Sequence, residues 1–218
     1  MQPGTHCAPV RFATFREMNK SELRKIYLQK QKSLSEKERR EKSLKIADNF
    51  FAKFSLETVN FLHIFLPIEK NNEIDTNLII STLWRDFPEI FTILSRVDFE
   101  TMTLENLRFH SATKLIKNKW HIDEPTGAEL VEIEKIDVVL VPLLAFDKKG
   151  FRVGYGKGFY DRFLNECRKD VLKIGVSYFA PVVEISDVNE FDVKLDFCIT
   201  PEKVWHLLRS EPSAVADG

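Results

Sequence analysis

Apolar positions recur at helical spacing near the start of the chain and at strand spacing further on. Leu23, Ile26 and Tyr27, then Leu44, Ala47, Phe50, Phe51 and Phe54, mark one face of each of two helices. Asn19 with Glu22, and Ser35 with Glu38, place a capping-box start before each of them. The short dense run Val59–Leu66 predicts a buried strand, Asp75–Phe87 a helix, Ile90–Ser95 a strand and Thr101–Phe109 a further strand. Asp137–Pro142 is the clearest buried strand. Helix Lys157–Lys169 and strand Lys173–Tyr178 follow, and Val193–Ile199 supplies a last strand. The segment from Asp137 to Tyr178 is thus a β-loop-α-β unit with parallel strands and a right-handed crossover. The alternation predicts a layered α/β/α fold with a mostly parallel central sheet and two N-terminal helices.

The chain has 218 residues, 44% of them hydrophobic, including 18 phenylalanines, which is enough for one substantial core. We expect a single domain over 18–208, an unstructured extension over 1–17 with Met18 starting the folded protein, and a mobile tail over 209–218. A net charge of -1 gives no ground for nucleic-acid or membrane binding. Residues 18–45 carry ten Lys/Arg against four Glu, which by itself reads as a solvated helix face. Cys7, Cys167 and Cys198 are too few and too scattered for a disulfide framework or a metal knuckle, so a reducing, cytoplasmic setting is expected. No apolar run approaches the roughly 18 residues that a membrane helix needs.

The chemistry concentrates in Arg152–Asp161. Gly154, Gly156 and Gly158 alternate, with Arg152, Lys157 and Asp161 around them, and Phe159, Tyr160, Phe163 and Leu164 follow at helical spacing. Glycines let an anion approach the backbone, and a helix opening there turns its positive end toward that anion. No hydroxyl residue follows Lys157, so this is not a P-loop. The third glycine comes one residue too early for the dinucleotide fingerprint. A glycine alternation alone is equally compatible with a tight strand-to-helix connection. The flanking charges favour a phosphate cradle: Arg152 has a planar fork for phosphate, and Asp161 makes sense if magnesium lies between it and the anion.

The segment Val141–Asp147, then Gly150, then Arg152–Arg162 resembles the signature of the 5-formyltetrahydrofolate cyclo-ligase family, also called methenyltetrahydrofolate synthetases. Lys20 and Arg24 resemble the family's N-terminal Lys-x-x-x-Arg, and Phe65, Leu66 and Glu73–Thr76 its substrate-side segment. Asp196 falls in the late strand where the family has an acidic residue. The likeness spans roughly residues 18–205 and is strongest over 141–162. It implies ATP- and Mg2+-dependent closure of 5-formyltetrahydrofolate to 5,10-methenyltetrahydrofolate, with release of ADP and phosphate.

By that resemblance Lys20, Arg24, Arg152, Gly154, Gly156, Lys157, Gly158 and Tyr160 bind ATP. Arg152, Lys157 and Tyr160 act in catalysis, Leu66, Glu73, Tyr155 and Phe159 contact the folate, and Asp161 and Asp196 hold Mg2+. Removing the Arg152 side chain is expected to lower turnover with little loss of folding. Trp120 reads as core or as a pocket aromatic, Asp147 as a cap for the turn before Gly150, and His63 as core. A monomer acting on the folate, with its polyglutamylation open, is expected. The rival readings are a sugar-phosphate enzyme or small-molecule kinase on a similar fold, a non-catalytic folate- or nucleotide-binding relative, and a nucleic-acid contact through the basic N-terminal region.

Overall fold

The computed structural model describes residues 17–207 apart from Phe99, Met102 and 119–121. The expected extension and tail, except Glu17, lie outside the described residues, as does Trp120. Both capping boxes form. Asn19 and Ser35 accept from the backbone N–H of Glu22 and Glu38, whose carboxylates return the bond, and helices α1 (Lys20–Lys32) and α2 (Glu36–Lys53) start there. Strand β1 (Phe61–His63), helix α3 (Asn77–Asp86), strand β2 (Phe91–Asp98) and strand β3 (Thr103–Phe109) follow. A hairpin of β4 (Lys114–Lys117) and β5 (Asp123–Thr126) comes next, then β6 (Val138–Pro142). A small ribbon pairs β7 (Ala145–Phe146) with β8 (Arg152–Val153). Helix α4 (Phe159–Glu166) and strands β9 (Leu172–Val176), β10 (Phe197–Ile199) and β11 (Val204–His206) complete the described chain.

Seven strands form one sheet in the order β11-β10-β9-β6-β1-β2-β3. The five central strands are parallel, and β3 and β11 close the edges antiparallel. Strand β6 explains the layering. Val138 and Leu140 join the apolar cluster under α2 and α3, whereas Val139 and Val141 join the cluster containing Phe163 and Leu164 of α4. Alternate side chains of a strand leave on opposite faces, so a run buried on both faces needs helices above and below. Helix α1 packs separately, with Leu23 and Tyr27 against Val153, Val182 and Ile185 beside the β7–β8 ribbon.

The β6–α4–β9 unit has parallel strands as expected, with Leu140 opposite Ile174. Strand β1 is shorter than the expected Val59–Leu66: its pairing with β2 ends at His63, and Pro67 has no N–H to extend a ladder. Strand β2 is longer than expected because β3 pairs with it through Asp98. The β4–β5 and β7–β8 hairpins and β11 were not foreseen. In β4 all four residues are exposed, so it carries no buried apolar face that a pattern could show. Asp147 caps its turn as expected, its Oδ1 accepting from Lys149 N at 2.9 Å and Phe151 N at 3.0 Å.

Candidate active site

A cavity of about 590 Å³ opens beyond the carboxyl ends of β1 and β6, roofed by α1 and the glycine loop. Open parallel sheets commonly place their ligand sites at this end. Gly158 takes the N-cap position of α4 with φ +69°, and Gly156 has φ +93°. Only glycine adopts these left-handed conformations without strain. The loop thereby turns tightly and delivers the first N–H groups of α4 to the cavity, a site suited to an anion. That helix is eight residues long, and the basic side chains Lys20, Arg24 and Lys157 line the same cavity.

Arg24 holds the loop from above. Its Nε donates to the Gly154 carbonyl at 3.0 Å, and its guanidinium lies so close that a Cβ on Gly156 would stand 3.0 Å from Cζ and Nε. Gly156→Ala is therefore expected to displace Arg24 and to strain the loop. Its cost to stability should be about 1–2 kcal/mol, with a larger loss of turnover, read by thermal unfolding and steady-state kinetics. Lys20 lines the same end, and its Nζ lies 2.5 Å from Asp192 Oδ1 and Oδ2. Lys157 is exposed on the loop and also lines the cavity.

Arg152 is buried rather than poised in the open. Its Nη2 donates to Asp161 Oδ1 at 2.8 Å and its Nη1 to the Val193 carbonyl, and its side chain is 5% exposed. Burial lowers its pKa, while Asp161, Asp192 and Tyr160 pull the other way. A buried cation that anchors two partners argues, against the expectation from sequence, that truncating Arg152 costs stability. Asp161 also accepts from Val193 N at 3.3 Å through the same Oδ1. Its Oδ2 has no hydrogen bond to a described residue.

Asp196 is set apart from the other expected site residues. Its Oδ2 accepts from Lys173 N at 2.8 Å and pairs with Lys173 Nζ at 2.9 Å at the start of β10, and it does not line the cavity. The acidic neighbour at the cavity is Asp192, which sequence reasoning missed because its partner Lys20 lies 172 residues away. No group of three or more His, Cys, Asp or Glu among the described residues could hold a metal.

Apolar side chains form much of the remaining wall, beside Lys70, Asn71 and Asp123. Leu66, Ile68, Val97, Leu104 and Ile122 belong to it, with Phe159 and Tyr160 from the start of α4. Into this wall is set Glu73, 6% exposed, whose Oε2 accepts from Ile68 N at 2.9 Å. Tyr155 donates its hydroxyl to Glu73 and accepts from Gln31 Nε2 at 3.0 Å. Burial pushes the Glu73 carboxyl up to about 7, against hydrogen bonds from Tyr155, Ile68 and Asn71 that favour its anion. Burial also raises the Tyr155 and Tyr160 hydroxyls, which stay protonated. The structure thus brings together every expected site residue except Asp196.

This arrangement has counterparts among known proteins. The profile of the 5-formyltetrahydrofolate cyclo-ligase family matches residues 16–201. The 5-formyltetrahydrofolate cyclo-ligase of Escherichia coli K12 is 28% identical over 180 residues, covering 81% of this chain and 97% of that protein. The mouse protein of the same name is 27% identical over 185 residues, covering 80% and 89%. Among solved structures, the Aquifex aeolicus 5,10-methenyltetrahydrofolate synthetase superposes with a TM-score of 0.73 at 32% identity, covering 91% of this chain and 99% of that one. The Mycoplasma pneumoniae 5,10-methenyltetrahydrofolate synthetase gives 0.68 at 26% identity, covering 85% and 100%. A glycine loop at a helix start, a cavity with the buried carboxyl of Glu73 in its wall and near full-length similarity converge, and the chain belongs to the 5-formyltetrahydrofolate cyclo-ligase family.

Proposed function

We propose that this ligase closes 5-formyltetrahydrofolate to 5,10-methenyltetrahydrofolate at the expense of ATP, with the two substrates meeting at the glycine loop. The observation that carries this reading is one cavity lined both by Lys20, Arg24 and Lys157 and by a group of apolar side chains, with residues 154–160 of the glycine loop and helix start among its walls. Lys20, Arg24 and Lys157, with the loop N–H groups, receive the ATP phosphates and offset the charge that develops on them. Leu66, Phe159 and Tyr155 enclose the pteridine, and Glu73 accepts from its amino and ring N–H groups through charge-assisted bonds. Arg152 and Tyr160 support the loop where the two substrates meet.

The chemistry explains the need for ATP. Amide resonance deactivates the N-formyl carbon, and its oxygen is a poor leaving group. Attack of that oxygen on the γ-phosphorus releases ADP and leaves an iminium phosphate. The nitrogen at position 10 then attacks the formyl carbon, phosphate departs with the C–O bonding pair, and the nitrogen gives up its proton. No protein nucleophile is needed, and catalysis rests on positioning and charge neutralisation.

Mg2+ commonly binds through one or two carboxylates together with substrate phosphates. Asp161 fits that pattern through Oδ2. Asp196 does not, because Lys173 occupies it. Held there, Mg2+ would supply positive charge to offset that of the ATP phosphates. A cytoplasmic monomer acting on the folate completes the proposal. No helix among the described residues is long and apolar enough to cross a membrane.

The test is the appearance of near-ultraviolet absorbance from methenyltetrahydrofolate with purified protein, with and without ATP and magnesium. The reading requires product only with ATP. Binding of either substrate without turnover would instead support a non-catalytic relative.

A further inference from the structure

A polar pair with no role in the mechanism above sits in the floor of the cavity. His63 on β1 is fully buried, and its Nε2 stands 2.6 Å from Ser95 Oγ on β2. In the parallel register His63 lies opposite Ile93, two residues before Ser95, so the two side chains share one face of the sheet. Ser95 lines the cavity, and its Oγ makes no other hydrogen bond to a described residue. His63 Nδ1 is buried with no hydrogen-bond partner. The aromatic rings of Tyr160 and Phe163 stand over the imidazole, with centroids 6.0 and 4.8 Å away.

The two tautomers of the imidazole have unequal costs here. Burial pulls the His63 pKa down to about 3, against a smaller opposing effect of its own carbonyl, so the ring is neutral and carries one N–H. With the proton on Nδ1, a donor would be buried with no partner at hydrogen-bond geometry beyond a weak contact with its own carbonyl, which native structures rarely tolerate. With the proton on Nε2, that donor is satisfied by Ser95, and only a lone pair is left bare at Nδ1. The second arrangement is favoured. It has a consequence for the serine: a hydroxyl that already accepts from histidine must send its own hydrogen elsewhere.

Asn106 is the competing acceptor on that face, opposite Ser95 in the β2–β3 register, but its buried Oδ1 has no hydrogen-bond partner. We infer that His63 is a positioning residue that fixes the Ser95 hydroxyl as a donor into the cavity, where it recognises an acceptor oxygen of the bound folate. Ser95 stands on β2, across β1 from the strand β6 that leads to the glycine loop held by Arg24, and Val97 and Leu104 line the cavity on its side of the sheet order, so its recipient belongs to the folate rather than to ATP. Glu73 would then accept from the folate while Ser95 donates to it, giving the pocket two opposite polarities with which to orient the ring system.

The identity of the recipient rests on the proposed function; the tautomer does not. Long-range 1H–15N spectra of histidine-labelled wild-type protein, without substrate, are expected to show His63 protonated at Nε2. Protonation at Nδ1 would overturn the inference whatever the activity. Calorimetric titration with 5-formyltetrahydrofolate without ATP then reads the hydroxyl. Ser95→Ala is expected to weaken binding about five- to tenfold, as for one lost hydrogen bond. Ser95→Thr, which keeps the oxygen, should restore most of it, and neither variant should change ATP affinity more than about twofold. Unchanged folate affinity in a folded Ser95→Ala protein, or equal loss toward ATP, would refute the assignment. Failure of the wild-type protein to bind folate at all would overturn the proposed function and this recipient together, with the His63 tautomer still decided.

Discussion

Arg152→Ala is expected to unfold the protein at a markedly lower temperature, as well as to slow it. The guanidinium is nearly enclosed and serves Asp161 and the Val193 carbonyl at once. Its removal leaves a half-buried carboxylate without its cation and a backbone oxygen without its donor, and breaking such a pair from one side costs roughly 2–4 kcal/mol. For a domain of this size that is a fall in melting temperature on the order of 6–12 °C. The double variant Arg152→Ala with Asp161→Ala should lose less than the sum of the two single losses, because removing both members leaves no stranded charge. Thermal unfolding of the four proteins measures this coupling. A melting temperature unchanged in Arg152→Ala would mean that the arginine acts only on ligand. Turnover, measured well below the lowered melting point, should fall at least about tenfold, because Asp161 and the start of α4 then lose the anchor beneath the glycine loop.

Glu73 should make folate affinity and protein stability respond to pH in opposite directions. Its carboxyl is raised from 4.5 in an unfolded chain to about 7 in the folded protein. The folded state therefore holds the proton more tightly. The stabilisation from the protonated form is complete below about pH 4.5 and is lost as pH rises through about 7. Binding to pteridine N–H donors needs the anion, so kcat/KM for the folate should increase through the same range. Glu73→Gln cannot ionise. It should flatten the profile between pH 6 and 8 and reduce kcat/KM by about 10- to 100-fold at pH 8, the loss expected for charge-assisted bonds. The same variant should unfold at a higher temperature than the wild type at pH 8, where the wild type buries a carboxylate. Retention of the wild-type pH profile by Glu73→Gln would assign the titration to another group.

The local signals in the sequence translated well into structure. Asn19 and Ser35 start the first two helices because a cap uses only the next three residues. The alternation in Val138–Val141 and its burial on both faces follow from the strand itself. The β4–β5 hairpin was invisible because its strands expose Leu115 and Ile116 and include Pro125. Strand lengths were misjudged at β1 and β2 because pairing, not composition, sets where a ladder stops.

The site divides along the same line. The sequence by itself determined the glycine loop, because left-handed turns and a helix start are properties of a few consecutive residues, and its motif carried the family. It also placed Lys20, Arg24 and Glu73 in the same chemistry by resemblance. Only the tertiary structure decided which charges are free to meet a ligand. It buried Arg152 against Asp161, gave Asp196 to Lys173, set Asp192 beside Lys20 and joined His63 to Ser95. These pairings span from 9 to 172 residues of chain. The electrostatics of a side chain depend on its burial and on its nearest opposite charge, and neither is a property of sequence neighbourhood.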